Sequence, residues 1–137
     1  MANFRTVGRP LVREDGHGKV TGAAQYTADV RRTDTLWGKI LRSPLPHARI
    51  VNVDASKAKK VRGVKAVITG QDVSAKLTGR TLKDLPVVAR DRVRFVGDKV
   101  AAVAAIDRDS AEEALSLIDV EYEELPAIFD PLEAIKS

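Results

Sequence analysis

The stretch of sequence that decides the fold is Ala89-Arg-Asp-Arg-Val-Arg-Phe-Val-Gly-Asp-Lys-Val-Ala-Ala-Val-Ala-Ala-Ile-Asp107. In residues 92–95, polar and apolar side chains alternate, as in a strand with one solvated face. Gly97-Asp98 predicts a two-residue hairpin turn, because glycine adopts the positive φ that such a turn needs. Residues 100–106 are all apolar. The stretch therefore predicts a hairpin whose second strand is covered on both faces and lies in the middle of a sheet.

Strand signals also occur on both sides of this hairpin. Apolar and β-branched residues predict strands at 36–42, 47–53, 64–69 and 120–123. Prolines keep the 43–46 connection from being helical, and Pro126 ends the last strand. The polar segment 70–84 carries no pattern that fixes its structure.

Two helices are predicted, one before the hairpin and one after it. The first is capped by Asp54 and ends at Gly63. Its inward-facing residues are Ala55, Ala58 and Val61. The second begins at 109–112, whose sequence is typical of a capping box, and has one buried face. That face consists of Ala111, Ala114, Leu115 and Ile118.

These elements predict a single α+β domain with a mixed sheet and two helices, in the order strand, strand, helix, strand, hairpin, helix, strand. Along the chain we expect an extended N-terminal arm at 1–35, a core at 36–125 and a tail at 126–137. The arm is assigned because it is rich in glycine and polar residues. A chain of 137 residues is long enough to bury roughly two thirds of its unfolded surface.

The composition excludes several kinds of chemistry. The chain has no cysteine, and therefore no disulfide, thiolate metal site or cysteine nucleophile. Its net charge is +4, but the positive residues are dispersed and aromatic residues are few, which disfavours nucleic-acid binding. The N-terminus lacks the apolar core of a signal peptide, and no run approaches the ~20 apolar residues of a membrane span. We therefore expect a cytoplasmic protein.

The polar residues form no pattern typical of an active site. His17 and His47 have no second metal ligand at helical or hairpin spacing. The glycines within 16–22 have the wrong spacing for a dinucleotide-binding loop. The acidic residues at 112–113 lie on the opening turn of a helix, and those at 121–123 lie on the solvated face of a strand. The residues alone predict no catalytic and no metal-binding site.

Successive segments of the chain nevertheless resemble, in order, motifs of one enzyme family. Besides the hairpin, these segments are Gly8-Arg-Pro-Leu-Val-Arg-Glu-Asp15, Lys19-Val-Thr-Gly-Ala-Ala-Gln-Tyr-Thr-Ala-Asp29, Leu41-Arg-Ser-Pro-Leu-Pro-His-Ala-Arg-Ile50, Asp54-Ala-Ser-Lys-Ala58, Gly63-Val-Lys-Ala-Val-Ile-Thr-Gly-Gln-Asp-Val73, Ala111-Glu-Glu-Ala-Leu-Ser-Leu-Ile-Asp-Val-Glu-Tyr-Glu-Glu-Leu-Pro126 and Phe129-Asp-Pro131. Together they resemble the start of the large, molybdenum-carrying subunit of the xanthine dehydrogenase and aldehyde oxidase (molybdenum hydroxylase) family.

This resemblance implies an α/β-hammerhead fold, the N-terminal domain that precedes the molybdopterin domains. Members of the family hydroxylate aromatic heterocycles or aldehydes with water, or oxidise carbon monoxide. The full enzyme is expected to contain molybdopterin with molybdenum, and iron–sulfur clusters and usually FAD in partner domains or subunits. Ser137 lies near the point where the first cofactor-binding domain begins in the family. No catalytic, cofactor-binding or metal-ligating residue is therefore assigned to this chain.

The chain departs from the family pattern at one turn. Gly97-Asp98-Lys99 stands where the family more usually has Gly-Glu/Gln-Pro. The glycine that the turn requires is kept, and lysine supplies a backbone donor that proline lacks.

Two functions are compatible with the sequence. The first is the N-terminal structural domain of a molybdenum-dependent oxidoreductase, not catalytic alone, which contacts the molybdopterin-binding domains of the same polypeptide or an adjacent subunit. The alternative is a free-standing hammerhead module that acts in binding or assembly without redox activity. For the first function, the arm to Asp29 and the connection at Arg42, Ser43, Pro44 and His47 are the candidate interface.

Overall fold

The computed structural model describes residues 5–8, 10–74 and 76–136, which belong to two units, Met1–Thr33 and Asp34–Ser137. The first unit contains helix α1 (Gly16–Val20) and a 3₁₀ turn (Thr27–Asp29). The sequence did not predict α1, because this helix of 5 residues contains two glycines and buries none of its residues, so it shows no apolar period. The Thr21 hydroxyl donates to the His17 carbonyl at 2.7 Å, and an ion pair of 2.5 Å joins Lys19 to Asp15.

The second unit contains, in the described part of the chain, two antiparallel sheets of three strands each. The first sheet has the order β1-β5-β3, and the second has the order β4-β2-β6. The strands are β1 (Trp37–Arg42), β2 (Ala48–Asp54), β3 (Val64–Thr69), β4 (Arg92–Val93), β5 (Lys99–Ala105) and β6 (Asp119–Glu124). The α+β class is confirmed, but the strands form two antiparallel sheets instead of one mixed sheet.

Strand β5 confirms the prediction made from the apolar run. It lies between β1 and β3, and its residues are buried or half-buried on both faces. Ile106 is the exception, because it follows the strand and is 52% exposed. An apolar strand in the centre of a sheet satisfies its backbone hydrogen bonds on both sides and removes most of its side chains from water.

The predicted hairpin is wrong, because β4 pairs with β2 and not with β5. The reversal is present as a β-turn in which the Asp98 amide donates to the Phe95 carbonyl at 3.1 Å. Gly97 has a φ of +92° at the third position of this turn, a conformation that favours glycine. The turn therefore carries the chain from one sheet to the other instead of joining two neighbouring strands.

Helix α2 (Arg108–Ser116) begins earlier than the sequence predicts. Its N-cap is Asp107, whose carboxylate accepts a hydrogen bond from the Ser110 amide at 2.7 Å. The predicted apolar face is confirmed, since Ala111, Ala114 and Ile118 are buried. The helix predicted after Asp54 is only a 3₁₀ turn (Ala58–Lys60), and a short helix, α3 (Pro131–Ala134), follows β6.

The core consists of two clusters of buried residues that β5 joins. One cluster lies between α2 and the first sheet and includes Ala101, Val103 and Ala114. The other includes Val93 of the second sheet and Val100 of β5. Because neighbouring β5 residues point to opposite faces, this strand contributes to both clusters. Within the described residues, no helix has the length and apolar character needed to cross a membrane.

Candidate functional site

Ser43, one of the predicted interface residues, is the centre of a hydrogen-bonded contact between the two connections that link the sheets, β1 to β2 and β4 to β5. Its amide donates to the Asp98 carbonyl and its own carbonyl accepts from the Gly97 amide, both at 2.8 Å. The Ser43 hydroxyl oxygen also lies 3.0 Å from the Leu45 amide and the Leu45 carbonyl oxygen. Ser43 is buried, so its side chain organises the connection and is not available to a partner.

Asp98 holds the turn that Ser43 contacts. Its carboxylate accepts from the Arg94 amide at 3.2 Å and from the Lys99 amide at 2.9 Å. The Arg42 guanidinium donates to the Gly97 carbonyl at 2.8 Å, which ties the end of β1 to the same turn. We call residues 42–45 together with 94–99 the inter-sheet clasp.

Tyr122 of β6 is also in contact with the inter-sheet clasp. Burial raises the pKa of the Tyr122 hydroxyl, and a hydrogen bond with Ser43 lowers it in part. The negative charge of Asp98 raises the same pKa further. The phenol therefore stays protonated at neutral pH and acts as a structural hydrogen-bonding group.

His47 and Arg42 both make contacts within this chain. The His47 Nδ1 lies 2.6 Å from the Pro126 carbonyl oxygen and must carry the hydrogen, because a carbonyl only accepts. The His47 carbonyl accepts from the Leu125 amide at 3.0 Å. His47 thus fixes the path of the chain as it leaves β6. Pro44, by contrast, is exposed.

The structure therefore brings Arg42, Ser43 and Pro44 together at the inter-sheet clasp and places His47 at the end of β6. Their role as an interface stays a prediction. The sequence analysis missed Asp98 and the contact between Gly97 and Ser43. Gly97-Asp98 was recognised only as a chain reversal. Nothing in the neighbouring sequence indicates that this turn contacts Arg42, which lies 55 positions before Gly97.

An ion pair between described residues of the second unit joins α2 to β1. The Glu112 carboxylate accepts from the Lys39 ammonium at 2.7 Å and from the Arg108 guanidinium at 2.9 Å. Lys39 first, and then Arg108, lower the pKa of Glu112 to about 2. The sequence analysis placed Glu112 on the opening turn of a helix and missed Lys39, since that partner is 73 positions away.

Glu112→Gln should make unfolding less dependent on pH in the acid range. The pKa of Glu112 is lowered in the folded state, so the ionised carboxylate stabilises the fold above its unfolded value of 4.5, and this contribution is lost as the pH falls towards 2. Urea unfolding at several pH values between 2 and 5 measures the slope. Glu113→Gln is the matched control, because Glu113 is exposed and makes no ion pair among the described residues. Equal slopes for wild type and Glu112→Gln would contradict the prediction.

No metal centre is formed by the described residues. In residues 5–8, 10–74 and 76–136, no three histidine, cysteine, aspartate or glutamate side chains come together as ligands. His17 lies in α1, and Glu121 and Glu123 are exposed on β6, as predicted.

Two small clefts meet at Gly70 and Arg90. One has a volume of about 160 Å³ and is lined by Gly70, Ser74, Leu77, Pro86, Val88, Arg90, Asp91 and Arg94. The other, of about 170 Å³, runs beside β2 and ends at Thr69–Gln71 and at Ala89 and Arg90. Typical small-molecule sites are larger, at roughly 300–1,000 Å³.

A family of known proteins matches the part of the chain that forms the two sheets. Residues 21–126 match the family described as aldehyde oxidase and xanthine dehydrogenase, a/b hammerhead domain. The chain belongs to this family. The matched residues run from the first unit to Pro126, so they include the inter-sheet clasp and every strand of the hammerhead domain.

Curated relatives cover the hammerhead domain but are much longer. The chain is 49% identical over 126 residues to a probable xanthine dehydrogenase subunit of Bacillus subtilis (strain 168), with 91% of this chain and 17% of the relative aligned. It is 41% identical over 128 residues to the nicotinate dehydrogenase large molybdopterin subunit of Eubacterium barkeri, with 93% of this chain and 30% of the relative aligned. The chain therefore spans less than a third of these relatives.

Solved structures show the same fold. The quinoline 2-oxidoreductase of Pseudomonas putida 86 superposes with a TM-score of 0.84 at 37% identity, over 92% of this chain and 17% of that one. The carbon monoxide dehydrogenase of Oligotropha carboxidovorans gives a TM-score of 0.87 at 36% identity, over 93% of this chain and 16% of that one. The predicted hammerhead fold is thus confirmed.

Among the described residues, no three potential metal ligands come together, and the two clefts at Gly70 are too small for a pterin with its substituents. A larger cleft of about 690 Å³ is lined by Asp34, Thr35, Leu36, Lys65 and Ile106, which include no histidine or cysteine. The hammerhead domain contains no cysteine that could hold an iron–sulfur cluster. No step of redox chemistry is therefore assigned to its residues.

Proposed function

We propose that this chain is the hammerhead domain of the molybdopterin-binding large subunit of a molybdenum-dependent oxidoreductase. The observation that carries the proposal is the family match over residues 21–126, combined with relatives in which this region is only 17–30% of the length. Its role is to pack against the domains or subunits that carry the cofactor. The domain is not catalytic alone.

The candidate interface of this proposal is the exposed side of the inter-sheet clasp. The side chains exposed there belong to Pro44, Phe95 and Val96. Their backbone is held in place by the hydrogen bonds that Ser43 and Asp98 make. A fixed apolar projection is suited to packing, since it loses little conformational entropy on binding. The chain beyond Pro126 is a second candidate, because His47 sets its direction and Phe129 is 80% exposed.

The partners in this proposal are molybdopterin-binding domains, in the same polypeptide or an adjacent subunit, together with iron–sulfur and flavin subunits. The relatives support it, since they include a large molybdopterin subunit and the carbon monoxide dehydrogenase large chain. The proposal also includes a cytoplasmic location, which cell fractionation would test.

The test is to capture the endogenous polypeptide with an antibody against residues 37–124 and to measure its size and the metals that co-purify. We expect either a band several times larger than 14.9 kDa that contains molybdenum, or a small band with molybdenum-bearing partners. A small band without metal or partners would overturn the proposal and favour the free-standing binding module.

Variants of the candidate interface test its location. In the full enzyme, Arg42→Gln combined with Pro44→Glu should reduce the molybdenum content of the purified protein. Lys59→Gln combined with Lys60→Glu is the control, because both lysines are exposed on the 3₁₀ turn, away from the inter-sheet clasp. Unfolding of the isolated variants shows whether the fold survives. Unchanged metal content and activity in folded Arg42→Gln/Pro44→Glu protein would place the interface elsewhere.

A further inference from the structure

Arg90 and Arg94 line the same cleft of about 160 Å³. Neither guanidinium has a hydrogen-bond or ion-pair partner among the described residues, and both residues are exposed. Some other arginines of this unit face a carboxylate, as Arg49 faces Glu123 at 3.4 Å and Arg108 faces Glu112 at 2.9 Å. The cleft therefore has two guanidinium groups that no described carboxylate neutralises.

The backbone that carries these two arginines is fixed by hydrogen bonds. On either side of Arg90, the Ala89 amide donates to the Lys99 carbonyl at 2.7 Å, and the Asp91 carbonyl accepts from the Ile50 amide at 2.9 Å. The Arg94 amide donates to the Asp98 carboxylate at 3.2 Å. Binding an anion would thus cost side-chain entropy but little backbone entropy.

The charge of the cleft is positive on balance. Its lining contains the two arginines and one acidic residue, Asp91, whose carboxylate lies 3.5 Å from the Arg92 guanidinium. Apolar walls from Pro86 and Val88 strengthen the field that an anion would meet there. A guanidinium donates in a planar fork that matches the two oxygens of a carboxylate.

We propose that Arg90 and Arg94 receive one carboxylate side chain of the domain or subunit that packs against this hammerhead domain. The inference rests on the proposed function, because an exposed pair of cations binds a free anion only weakly. A carboxylate on a protein surface that is already in contact is present at a high effective concentration, so the same two arginines then contribute to specificity. The cleft volume of about 160 Å³ suits one acidic group and not a larger ligand.

The first test titrates the 137-residue chain with sodium acetate at constant ionic strength and follows backbone amides by NMR. Because binding of a free anion is weak, we expect shifts at Gly70, Arg90 and Arg94 that need a high acetate concentration and that are lost in Arg90→Gln/Arg94→Gln. Lys59→Gln/Arg62→Gln removes the same charge from an exposed segment and should leave the shifts unchanged. Equal shifts in all three proteins would overturn the inference.

The second test uses the complex with the molybdenum-bearing partner and compares dissociation constants. Arg90→Gln/Arg94→Gln should weaken binding about tenfold, as expected for loss of a charge-assisted pair, and Arg90→Glu/Arg94→Glu should weaken it further. Undiminished affinity of these variants for the partner would refute the inference and leave the proposed function intact. If the wild-type chain itself binds no such partner, the proposed function fails and the inference fails with it.

Discussion

Gly70→Ala should destabilise the domain by about 3 kcal/mol, at the upper end of the range for overpacking. A Cβ at this buried position would lie 2.3 Å from the Ala89 carbonyl oxygen and 2.6 Å from the Arg90 Cα. Both are backbone atoms, so no side chain can rotate away. The Ala89 amide is bonded to Lys99 and the Asp91 carbonyl to Ile50, so displacing this segment would disturb both sheets. Urea unfolding monitored by circular dichroism measures the loss.

The matched control is Gly38→Ala in β1. Its φ is not in the left-handed region, it is exposed, and a Cβ there meets nothing within 4 Å. Alanine should leave the free energy of unfolding unchanged to within about 0.5 kcal/mol. A Gly70→Ala protein as stable as Gly38→Ala would show that the approach of Gly70 to Ala89 is not required.

Ala114→Leu should also cost about 3 kcal/mol, through a different mechanism. Ala114 is completely buried where α2 packs on the first sheet, in a cluster that includes Ala55, Ala58 and Ala101. Small residues on both sides let the helix lie close to the sheet. Three additional carbon atoms would force α2 outward and weaken the ion pair between Glu112 and Lys39.

Glu113→Leu is the control for the second prediction. It places the same side chain on the exposed face of α2, and leucine and glutamate have similar helix propensities. Its free energy of unfolding should therefore change by less than about 0.5 kcal/mol. Chemical denaturation at pH 7 measures the free energy of unfolding of both variants. Equal losses of this free energy would mean that α2 is not closely packed.

Both predictions concern positions whose importance the sequence did not reveal. Gly70 begins the segment for which no structure was predicted, and Ala114 was recognised as inward-facing without any indication of how near its neighbours lie. A periodic pattern identifies the buried face of an element, because that depends on spacing along one chain. The distance between two elements depends on residues far apart in sequence, such as Ala101 and Ala114.

The sequence by itself determined the central strand, the buried face of α2 and the family. The apolar run at 100–106 predicted the central strand, the spacing of Ala111, Ala114, Leu115 and Ile118 predicted the buried helical face, and the ordered motifs predicted the hammerhead fold. These signals are readable because side-chain period and turn chemistry are set by neighbouring residues.

Only the tertiary structure decided which elements are partners. It paired β4 with β2, joined Ser43 to Gly97 and Asp98, gave Glu112 its partner Lys39, and placed Arg90 and Arg94 in one cleft. Backbone hydrogen bonds between strands are chemically alike for almost any residue. The sequence of one strand therefore does not indicate which strand it pairs with. Pairing is chosen by the packing of the whole domain, and that choice is made by contacts between distant parts of the chain.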